Sequence, residues 1–596
     1  MDLRPRARTE EGSEPTLASA LLFRLKAGVF RWRRRWQNLK TPVRRHAAGG
    51  ELRHAKVVAE SMTPLRTDLG SADPLLTEGK IENLRRAVRR IDGVELRPGD
   101  VFSFWTQVGR ATRWRGYRRG RELREGCLVP SIGGGLCQLS NALYDAALKA
   151  GLEIVERHAH TRVIPGSLAE QGRDATIFWN YVDLRFRTDA LLRIEARLGP
   201  SDLVVRFRRA EPSRSPAGSA AVGRGVVLDP SGSCDTCDNT ECFRKEERGG
   251  HRAALPDRVY LLDERWPEFE DVLRAQAGRR DLVLVSQPPR QPFAARGGWN
   301  EGAGARFRRF RSVPIRRALA LRRRAEQGEA RQRALLRYSE LLSQAFARAV
   351  PWDAGNLVVS QGLLPFLWRD GVLGGRTFEV WMTRLPLYAL QGELDRAASA
   401  HPQSRTLADF RVDDELVEYE REALSAAAHI VTPHARIAAL FGDRADLRPW
   451  CLPTMAHLPR RGGAVVFPAS TLGRKGAYLL RSAIRALGCE VEIRVLGREL
   501  EGPGFWDGLA VSHGPRGPAG LEGAAVVVLP AYVEHQPRAL LAAAAAGVPV
   551  IASEACGLHD IGGVITIPTG DAEALADATD RVLRVSAPGE ARSLCG

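Results

Sequence analysis

The stretch "VVFPASTLGRKGAYLLRSAIRALGCEVEIRVLG", residues 465–497, decides the fold of the C-terminal part of this chain. A short apolar run leads into a loop, which is followed by apolar residues at helical spacing and then by a second apolar run. Three more runs follow, "AAVVVLP" (524–530), "VPVIAS" (548–553) and "GVITIP" (563–568). Strand signals that alternate with helix signals predict a parallel sheet covered by helices.

A similar series lies earlier in the chain. Its strand signals are "RVYLL" (258–262), "DLVLVSQ" (281–287), "NLVVSQG" (356–362) and "HIVTP" (429–433). Two successive α/β series predict two Rossmann-like domains, which we place at residues 256–450 and 451–596.

The region before these domains has a different pattern. Apolar residues alternate in "TIFWNYVDLRFRTDALLRIEARL" (176–198) and in "DLVVRFRRA" (202–210), which predicts antiparallel strands. We therefore expect an α+β domain at residues 51–210, and a linker at 211–230 because that stretch is rich in Pro, Ser and Gly. The chain as a whole is predicted to be a multidomain α/β protein.

The chain is strongly basic. It has 88 Lys and Arg against 70 Asp and Glu, a formal charge of +18. Two basic stretches, residues 21–40 and 306–324, contain interleaved apolar residues, and they either meet an anionic membrane surface or form solvated faces. Residues 1–50 are expected to form a basic tail with one amphipathic helix. No nucleic-acid module accompanies the basic stretches, so no specific nucleic acid is expected as a partner.

The lengths of the apolar runs in the sequence indicate where in the cell the protein is expected. None reaches the roughly 18 residues that a membrane span needs, and no secretion signal is recognisable. We therefore expect a cytoplasmic protein that is peripheral to the inner membrane face, with Arg31, Arg33, Arg34 and Arg35 contributing to membrane contact.

A cysteine-rich segment at residues 231–255 contains "SCDTCDNTECFRKEERGGH". Cys234 and Cys237 have the two-residue spacing that lets thiolates from one turn bind one tetrahedral metal ion, and Cys242 and His251 would complete the site. Zinc is the predicted metal, with an iron–sulfur cluster or exposed free thiols as alternatives.

A candidate nucleophile lies in "SIGGGLCQLSN", residues 131–141. Three glycines permit a tight turn before a helix, so Cys137 is expected near a helix N-terminus, where the helix dipole favours thiolate. His160 or His158 could act as the base, and Asp174 could orient it. A packed apolar thiol is the alternative, as is a pair with Cys127.

The region around this cysteine resembles a known family. The stretch from "GVELRPGDVFSFWTQVGR" through "GGGLCQLSNALYDAALKAGLEIVERHAHTRVIPGS" to "GRDATIFWNYVDLRF" is similar to the VanW family over about residues 80–190. The resemblance implies an association with the cell envelope or peptidoglycan, and it implies no particular reaction.

The C-terminal part resembles the GT-B glycosyltransferases called group 1 or family 4, on the motifs at 465–497 and 524–558. The resemblance implies that Arg474 and Lys475 meet the donor diphosphate and that Glu534 reaches the transferred sugar. Ala542 stands where the family has a second glutamate for the ribose. In the preceding acceptor domain, His434 is a candidate base by position alone, and a histidine that flanks a helix is the alternative.

Together these features predict a protein that transfers a sugar from a nucleotide-sugar donor to an envelope glycan or a lipid-linked acceptor. Two other functions stay open. One is a thiol-dependent acyltransferase or peptidase that acts on envelope peptides through Cys137. The other is a metal-stapled binding scaffold without turnover.

Overall fold

A computed structural model of the chain describes residues 29, 32, 34, 36, 38, 43–66, 74–124, 127–160, 162–163, 168–179, 182–210, 226–227, 256–287, 299, 304–324, 328–458, 462–488 and 491–586. The chain divides into two compact units. The N-terminal unit comprises Met1–Leu255 with the segments Pro351–Gly355 and Asp370–Arg376, and the C-terminal unit comprises the rest.

Among its described residues, the N-terminal unit contains eleven strands and three α-helices, besides a 3-10 turn and the helical positions of the tail. In chain order they are β1 (Lys56–Pro64), α1 (Pro74–Val88), β2 (Val94–Leu96), β3 (Val101–Ser103), α2 (Phe104–Val108), β4 (Arg119–Arg124), β5 (Cys127–Ile132), α3 (Leu136–Lys149), β6 (Glu153–Glu156), β7 (Arg162–Val163), β8 (Arg185–Arg187), β9 (Leu192–Leu198), β10 (Asp202–Arg209) and β11 (Val226–Val227).

An antiparallel sheet with the order β1-β10-β9-β2 supports this unit. Every second residue of β10 is buried, as the sequence alternation predicts. Helices α1 and α3 share one apolar core with the sheet. Inside it, the ring of Phe186 stacks on Phe102 at 4.7 Å and lies 5.6 Å from Phe207. The expected α+β character is confirmed.

Smaller sheets complete the N-terminal unit. They are the three strands β3-β8-β6, the antiparallel pair β4-β5 and the parallel pair β7-β11. The pair β4-β5 leads into the glycine turn that precedes α3.

The C-terminal unit alternates strands and helices. In chain order they are β12 (Val259–Leu262), α4 (Pro267–Gln276), β13 (Leu282–Ser286), β14 (Arg306–Phe310), α5 (Ser312–Arg322), α6 (Glu329–Ala347), β15 (Asn356–Ser360), α7 (Leu364–Arg369), β16 (Thr377–Trp381), α8 (Leu387–Ala400), α9 (Asp414–Ala426), β17 (His429–Thr432), α10 (Ala435–Phe441), β18 (Ala445–Leu447), β19 (Ala464–Phe467), α11 (Ala477–Ala486), β20 (Ile493–Val495), β21 (Val511–His513), β22 (Ala524–Leu529), α12 (Arg538–Ala545), β23 (Val550–Ser553), β24 (Val564–Ile567) and α13 (Ala572–Ser586).

Two parallel sheets organise this unit. The first has the order β14-β13-β12-β15-β16-β17-β18, and the second has the order β21-β20-β19-β22-β23-β24. In each sheet the chain begins at an inner strand, moves to one edge and returns to the other side. The order therefore reverses between β12 and β15 and between β19 and β22, where ligands bind in open α/β sheets. Two Rossmann-like domains are confirmed.

The basic stretch at 306–324 is part of this fold. It forms the edge strand β14 and helix α5, with most of its arginines exposed. Arg317 Nη2 lies 3.1 Å from Glu264 Oε1, so one of the cations pairs within the same unit.

Candidate functional sites

The loop after β19 carries the first cations of the C-terminal unit. Arg474 and Lys475 end a short 3-10 turn, Gly473–Lys475, and Gly476 then caps the N-terminus of α11. Gly476 has φ +79°, and a Cβ there would lie 1.9 Å from the Pro530 carbonyl oxygen, so only glycine fits. The turn thus brings both cations to the N-terminus of a ten-residue helix.

Glu534 follows the neighbouring strand β22 and meets this turn. Lys475 Nζ lies 2.5 Å from Glu534 Oε2, while Glu534 Oε1 accepts hydrogen bonds from the His535 and Gln536 N–H groups at 2.9 and 2.8 Å. Burial alone would raise the pKa of Glu534, but the charge of Lys475 and these hydrogen bonds lower it to about 2. Glu534 is therefore held as a buried carboxylate.

Burial lowers the pKa of both Arg474 and Lys475, against the opposing charge of Glu534. The Arg474 guanidinium also lies 5.1 Å from the ring centroid of Phe410. Its carbonyl oxygen accepts hydrogen bonds from the N–H groups of Tyr532 and Val533, which ties the loop after β19 to the loop after β22.

Glu501 binds the backbone of the cationic turn. Its buried carboxylate accepts hydrogen bonds from the Gly473 N–H at 2.6 Å and from the Tyr478 hydroxyl at 3.0 Å. It also accepts from the Ser404 and Thr406 hydroxyls, which belong to the other Rossmann-like domain. One carboxylate thus connects the turn to both domains.

A cavity of about 530 Å³ opens beside Arg474, within the usual size of a small-molecule site. Its polar lining includes Asp263, Ser360, Arg384, Arg474 and His535. The ring of His535 is neutral, because burial lowers its pKa to about 3 against the opposing charge of Glu534.

Asp263 enters this cavity from the first Rossmann-like domain. It directly follows β12, and its N–H donates to the hydroxyl of Ser360, the last residue of the adjacent strand β15, at 3.3 Å. The close approach of its carboxylate to Gly362 leaves no room for a Cβ there, with 2.3 Å to Asp263 Oδ2. Burial and the neighbouring Glu264 raise the pKa of Asp263 to about 6.

Two sequence candidates occupy other positions. His434 is fully buried at the start of α10, and its Nε2 lies 3.2 Å from the carbonyl oxygens of Glu534 and Ala555. Burial lowers its pKa to about 4, so it is a neutral packing residue and the helix-flanking alternative applies. Ala542 lies half-buried in α12, where its methyl group supplies no acceptor.

A bidentate ion pair joins the two Rossmann-like domains. Arg538, the first residue of α12, donates from Nη1 and Nη2 to the two carboxylate oxygens of Glu268, each at 2.7 Å. The guanidinium also lies 5.0 Å from the ring centroid of Trp266. Glu268 is on α4, so the pair spans 270 residues of chain.

The N-terminal unit brings together the three residues of the candidate thiol site. Gly135 has φ +93° and caps α3, which places Cys137 second in the helix. His160 lies four residues beyond the end of β6. Its Nδ1 is 2.7 Å from Asp174 Oδ1, its backbone N–H donates to Asp174 Oδ2, and the Cys137 side chain is close enough to affect the pKa of its ring.

The charge of the ring follows from these contacts. Burial alone would lower the pKa of His160, but Asp174 and the nearby Cys137 side chain raise it to about 10. His158 instead points its Nε2 to Glu156 Oε1 at 3.4 Å, with about half of its side chain exposed. Of the two histidines, His160 therefore meets the thiol.

The predicted metal ligands Cys234, Cys237, Cys242 and His251 lie outside the described residues. Within the described ranges, no group of three or more His, Cys, Asp or Glu side chains could hold a metal ion. The zinc site and the iron–sulfur alternative stay predictions, as does the pair with Cys127, whose side chain is not described.

Within its helical stretch, the basic tail is described at residues 29, 32, 34, 36 and 38. Arg34 is helical and its guanidinium pairs with the Glu156 carboxylate, so this cation is engaged within the N-terminal unit. Val29, Trp32 and Trp36 are exposed, with 70% of Trp32 accessible. Among the described helices, none is long and apolar enough to cross a membrane.

Comparison with known proteins identifies two family matches. The family model described as VanW like protein matches residues 79–208, and the one described as Glycosyl transferases group 1 matches residues 469–584.

Two curated relatives match the VanW-like region. The chain is 38% identical over 110 residues to the uncharacterized protein YoaR of Bacillus subtilis (strain 168), covering 18% of this chain and 36% of that protein. It is 36% identical over 120 residues to the vancomycin B-type resistance protein VanW of Enterococcus faecalis (strain ATCC 700802 / V583), covering 20% and 44%. The chain thus spans less than half the length of either relative.

Solved structures match the C-terminal part. Sucrose-phosphate synthase from Thermosynechococcus elongatus is 16% identical, with a TM-score of 0.35 and coverage of 57% of this chain and 92% of that one. WaaG, a glycosyltransferase involved in lipopolysaccharide biosynthesis, is 16% identical, with a TM-score of 0.32 and coverage of 55% and 90%. The chain thus has a region similar to VanW like protein at residues 79–208 and a region similar to the group 1 glycosyl transferases at residues 469–584.

Proposed function

We propose that this protein transfers a sugar from a nucleotide-sugar donor to an envelope glycan or a lipid-linked acceptor. The observation that carries the proposal is the cationic turn of Arg474 and Lys475, which lies at the N-terminus of α11 beside a cavity of about 530 Å³. The group 1 glycosyl transferase match covers the same turn.

The turn suits the diphosphate of a nucleotide sugar. Two buried cations and a helix N-terminus offer fixed positive charge, and they need no reorganisation when negative charge grows on the departing diphosphate. Glu534, held by Lys475, would then face the transferred sugar as the resemblance implies. Because Ala542 offers no carboxylate, ribose contacts through that position are left out of the proposal.

Asp263 is the proposed proton acceptor for the attacking hydroxyl. It lines the same cavity from the opposite Rossmann-like domain, and its raised pKa of about 6 lets it take a proton near neutral pH. The residue had a sequence signal, because it directly follows the buried run "RVYLL" at the carboxyl end of a parallel strand.

The test is release of nucleoside diphosphate from a panel of UDP-, GDP- and ADP-sugars by the purified full chain, with and without lipid-linked acceptors. We expect one donor to be consumed faster with the matching acceptor, and Lys475→Met to lower its turnover at least about 100-fold. Arg485→Met is the matched control, since Arg485 is an exposed cation on the same helix. Turnover of no donor, or equal turnover by Lys475→Met, contradicts the proposal.

We also propose that the basic tail meets an anionic membrane surface. Val29, Trp32 and Trp36 have the spacing of one helix face and are exposed, and the sequence adds Arg31, Arg33 and Arg35. This would bring a cytoplasmic enzyme to lipid-linked acceptors at the inner membrane face.

Vesicle co-sedimentation tests the membrane contact. Trp32→Ser with Trp36→Ser should lower binding to vesicles with anionic lipid by about tenfold, since two buried indole rings are lost from the interface. Trp114→Ser is the control, because Trp114 is fully exposed elsewhere in the N-terminal unit. Equal binding by the double variant and the control would exclude this tail as the contact.

The cysteine segment is proposed as a structural zinc site of Cys234, Cys237, Cys242 and His251. Its support is the ligand spacing in the sequence. Elemental analysis of the purified chain should find about one zinc per chain, and the Cys234→Ser, Cys237→Ser variant should lose it. Iron would favour the cluster alternative, and neither metal would favour free thiols.

A further inference from the structure

Sugar transfer leaves one reactive arrangement of the N-terminal unit without a role. The ring of His160 is hydrogen-bonded to the carboxylate of Asp174, and the thiol of Cys137, second in α3, lies beside that ring. We propose that Cys137 is the nucleophile of a second activity, acyl transfer from carboxylic amides or esters, which is independent of the glycosyltransferase domain.

The base is oriented in the way this chemistry needs. Asp174 holds both the backbone N–H and Nδ1 of His160, and only 3% of its side chain is exposed. Arg157 Nε in turn donates to the Asp174 carbonyl oxygen at 2.6 Å. Because Nδ1 faces the carboxylate, Nε2 is the ring nitrogen left for the thiol, as in nucleophile, base and orienter triads.

The nucleophile is accessible and its helix position supplies an oxyanion donor. Cys137 is half-buried at the second position of α3. The N–H groups of Leu136 and Gln138 donate to Gly133 and Gly135, whereas the Cys137 N–H has no hydrogen-bond acceptor among the described residues. That N–H can therefore stabilise the oxyanion that forms when the adjacent sulfur attacks a carbonyl carbon.

The backbone before Cys137 is built around glycine. A Cβ on Gly134 would lie 2.3 Å from the Gly120 carbonyl oxygen, and Asn83 Nδ2 donates to the Gly134 carbonyl oxygen at 2.9 Å. The turn therefore fixes the direction in which α3 begins. On the far side, Ser140 and Asn141 of α3 bond the backbone of Ala175, the residue next to Asp174. These bonds fix the position of Asp174 relative to α3.

The reaction balances with these groups alone. The Cys137 thiolate, paired with the His160 imidazolium, bonds the carbonyl carbon and gives a tetrahedral oxyanion. The carbon–nitrogen or carbon–oxygen bond then breaks, and the leaving amine or alcohol takes the proton from His160 Nε2, which leaves a thioester on Cys137. Water or an acceptor amine attacks the thioester and gives its proton to His160. The carbon–sulfur bond breaks, and the thiolate returns.

Alkylation of the full chain by iodoacetamide, followed residue by residue with mass spectrometry, tests the thiol first. An ordinary thiol with a pKa near 8.5 is largely protonated at about pH 6, so it alkylates slowly there. We expect Cys137 to alkylate at least about tenfold faster in the wild type than in His160→Ala at about pH 6, with the rates converging at high pH.

Cys451 is the internal control thiol. It is also half-buried, but burial and the neighbouring Glu268 raise its pKa. It should alkylate slowly at about pH 6 in every variant. Asp174→Asn is the second variant, because it keeps the shape of the site if His160→Ala fails to fold. Equal Cys137 rates in the wild type and in a folded variant would overturn the proposal.

Acylation by p-nitrophenyl acetate tests the nucleophile itself. We expect an acetyl group on the peptide that contains Cys137, and ester turnover that Cys137→Ser abolishes while Cys451→Ser retains it. Turnover that survives Cys137→Ser would overturn the proposal. Nucleotide-sugar turnover measured on the same variants separates this proposal from the proposed sugar transfer, since Cys137→Ser should leave that activity unchanged.

Discussion

Lys475 Nζ lies 2.5 Å from Glu534 Oε2, and the two residues come from the loops after β19 and β22, the strands at which the order of the second sheet reverses. The pair is buried, with 13% and 7% of the side chains exposed. Glu534 therefore neutralises the charge of Lys475. In the proposed function, a diphosphate would compete with this carboxylate for Lys475, so Glu534 would limit how tightly the diphosphate binds.

Removal of the Glu534 carboxylate should have opposite effects on nucleoside diphosphate binding and on sugar transfer. In Glu534→Gln the Lys475 charge loses its partner, so we expect a nucleoside diphosphate to bind about tenfold more tightly while sugar transfer falls. Calorimetric titration and donor turnover measure the two effects. Weaker binding of the diphosphate by Glu534→Gln would show that the pair does not compete with the ligand.

Glu501 should act as a positioning residue for the cationic turn. Glu501→Ala leaves the buried hydroxyls of Thr406 and Tyr478 without this acceptor, and the Gly473 N–H keeps only its bond to Thr406 Oγ1 at 3.0 Å, so we expect a stability loss of about 2–3 kcal/mol. The donor KM should rise more than kcat falls, because the turn is displaced while the reacting groups remain. Urea unfolding and donor kinetics measure both. An unchanged KM in a destabilised variant would assign Glu501 a purely structural role.

Asp263 should set the acidic limb of the pH–rate profile, the pH range over which kcat for sugar transfer falls as the pH is lowered. A base with a pKa of about 6 is protonated at lower pH, so kcat should rise as the pH passes through about 6. Asp263→Asn should lower kcat by about 100-fold and remove that limb. A wild-type limb that persists in Asp263→Asn would assign the titration to another group.

Asp263 should also lower the stability of the folded protein as the pH rises. Its folded pKa is above its ordinary value of 3.8, so the native state binds more protons than the unfolded state between about pH 4 and 6. Stability contributed by Asp263 therefore falls as the pH rises through that window. Asp263→Asn should gain stability relative to the wild type as the pH rises above 6. Thermal unfolding of both proteins at about pH 5 and pH 8 measures this difference. A difference in melting temperature between the two proteins that is the same at both pH values would contradict the raised pKa.

Arg538 should stabilise the contact between the Rossmann-like domains. Arg538→Met leaves the Glu268 carboxylate, which is fully buried, without its bidentate partner, and we expect a loss of about 2–3 kcal/mol. Arg538→Met with Glu268→Gln should recover part of it, because the buried charge is then absent. A double variant as unstable as the sum of the single variants would show that the two residues are not coupled.

The local sequence pattern was enough to predict the two Rossmann-like domains and to mark some of the candidate site residues. The runs around 465–497 predict the second Rossmann-like domain because strand, loop and helix follow each other in sequence. Asp263 could also be found, since it directly follows a buried strand. Glu501 and Glu268 could not, because their partners Gly473 and Arg538 are distant in sequence and no local spacing marks a carboxylate that joins two domains.

The proposed sugar transfer requires that the cationic turn of Arg474 and Lys475 binds the diphosphate of a nucleotide-sugar donor. The most direct test is calorimetric titration of UDP, GDP and ADP into the full chain, the Arg474→Met, Lys475→Met variant and the Arg485→Met control. We expect at least one nucleotide to bind the wild type and the control, and the double variant to bind that nucleotide at least about 100-fold more weakly. Equal affinity in all three proteins, or binding of none of the nucleotides by the wild type, would contradict it.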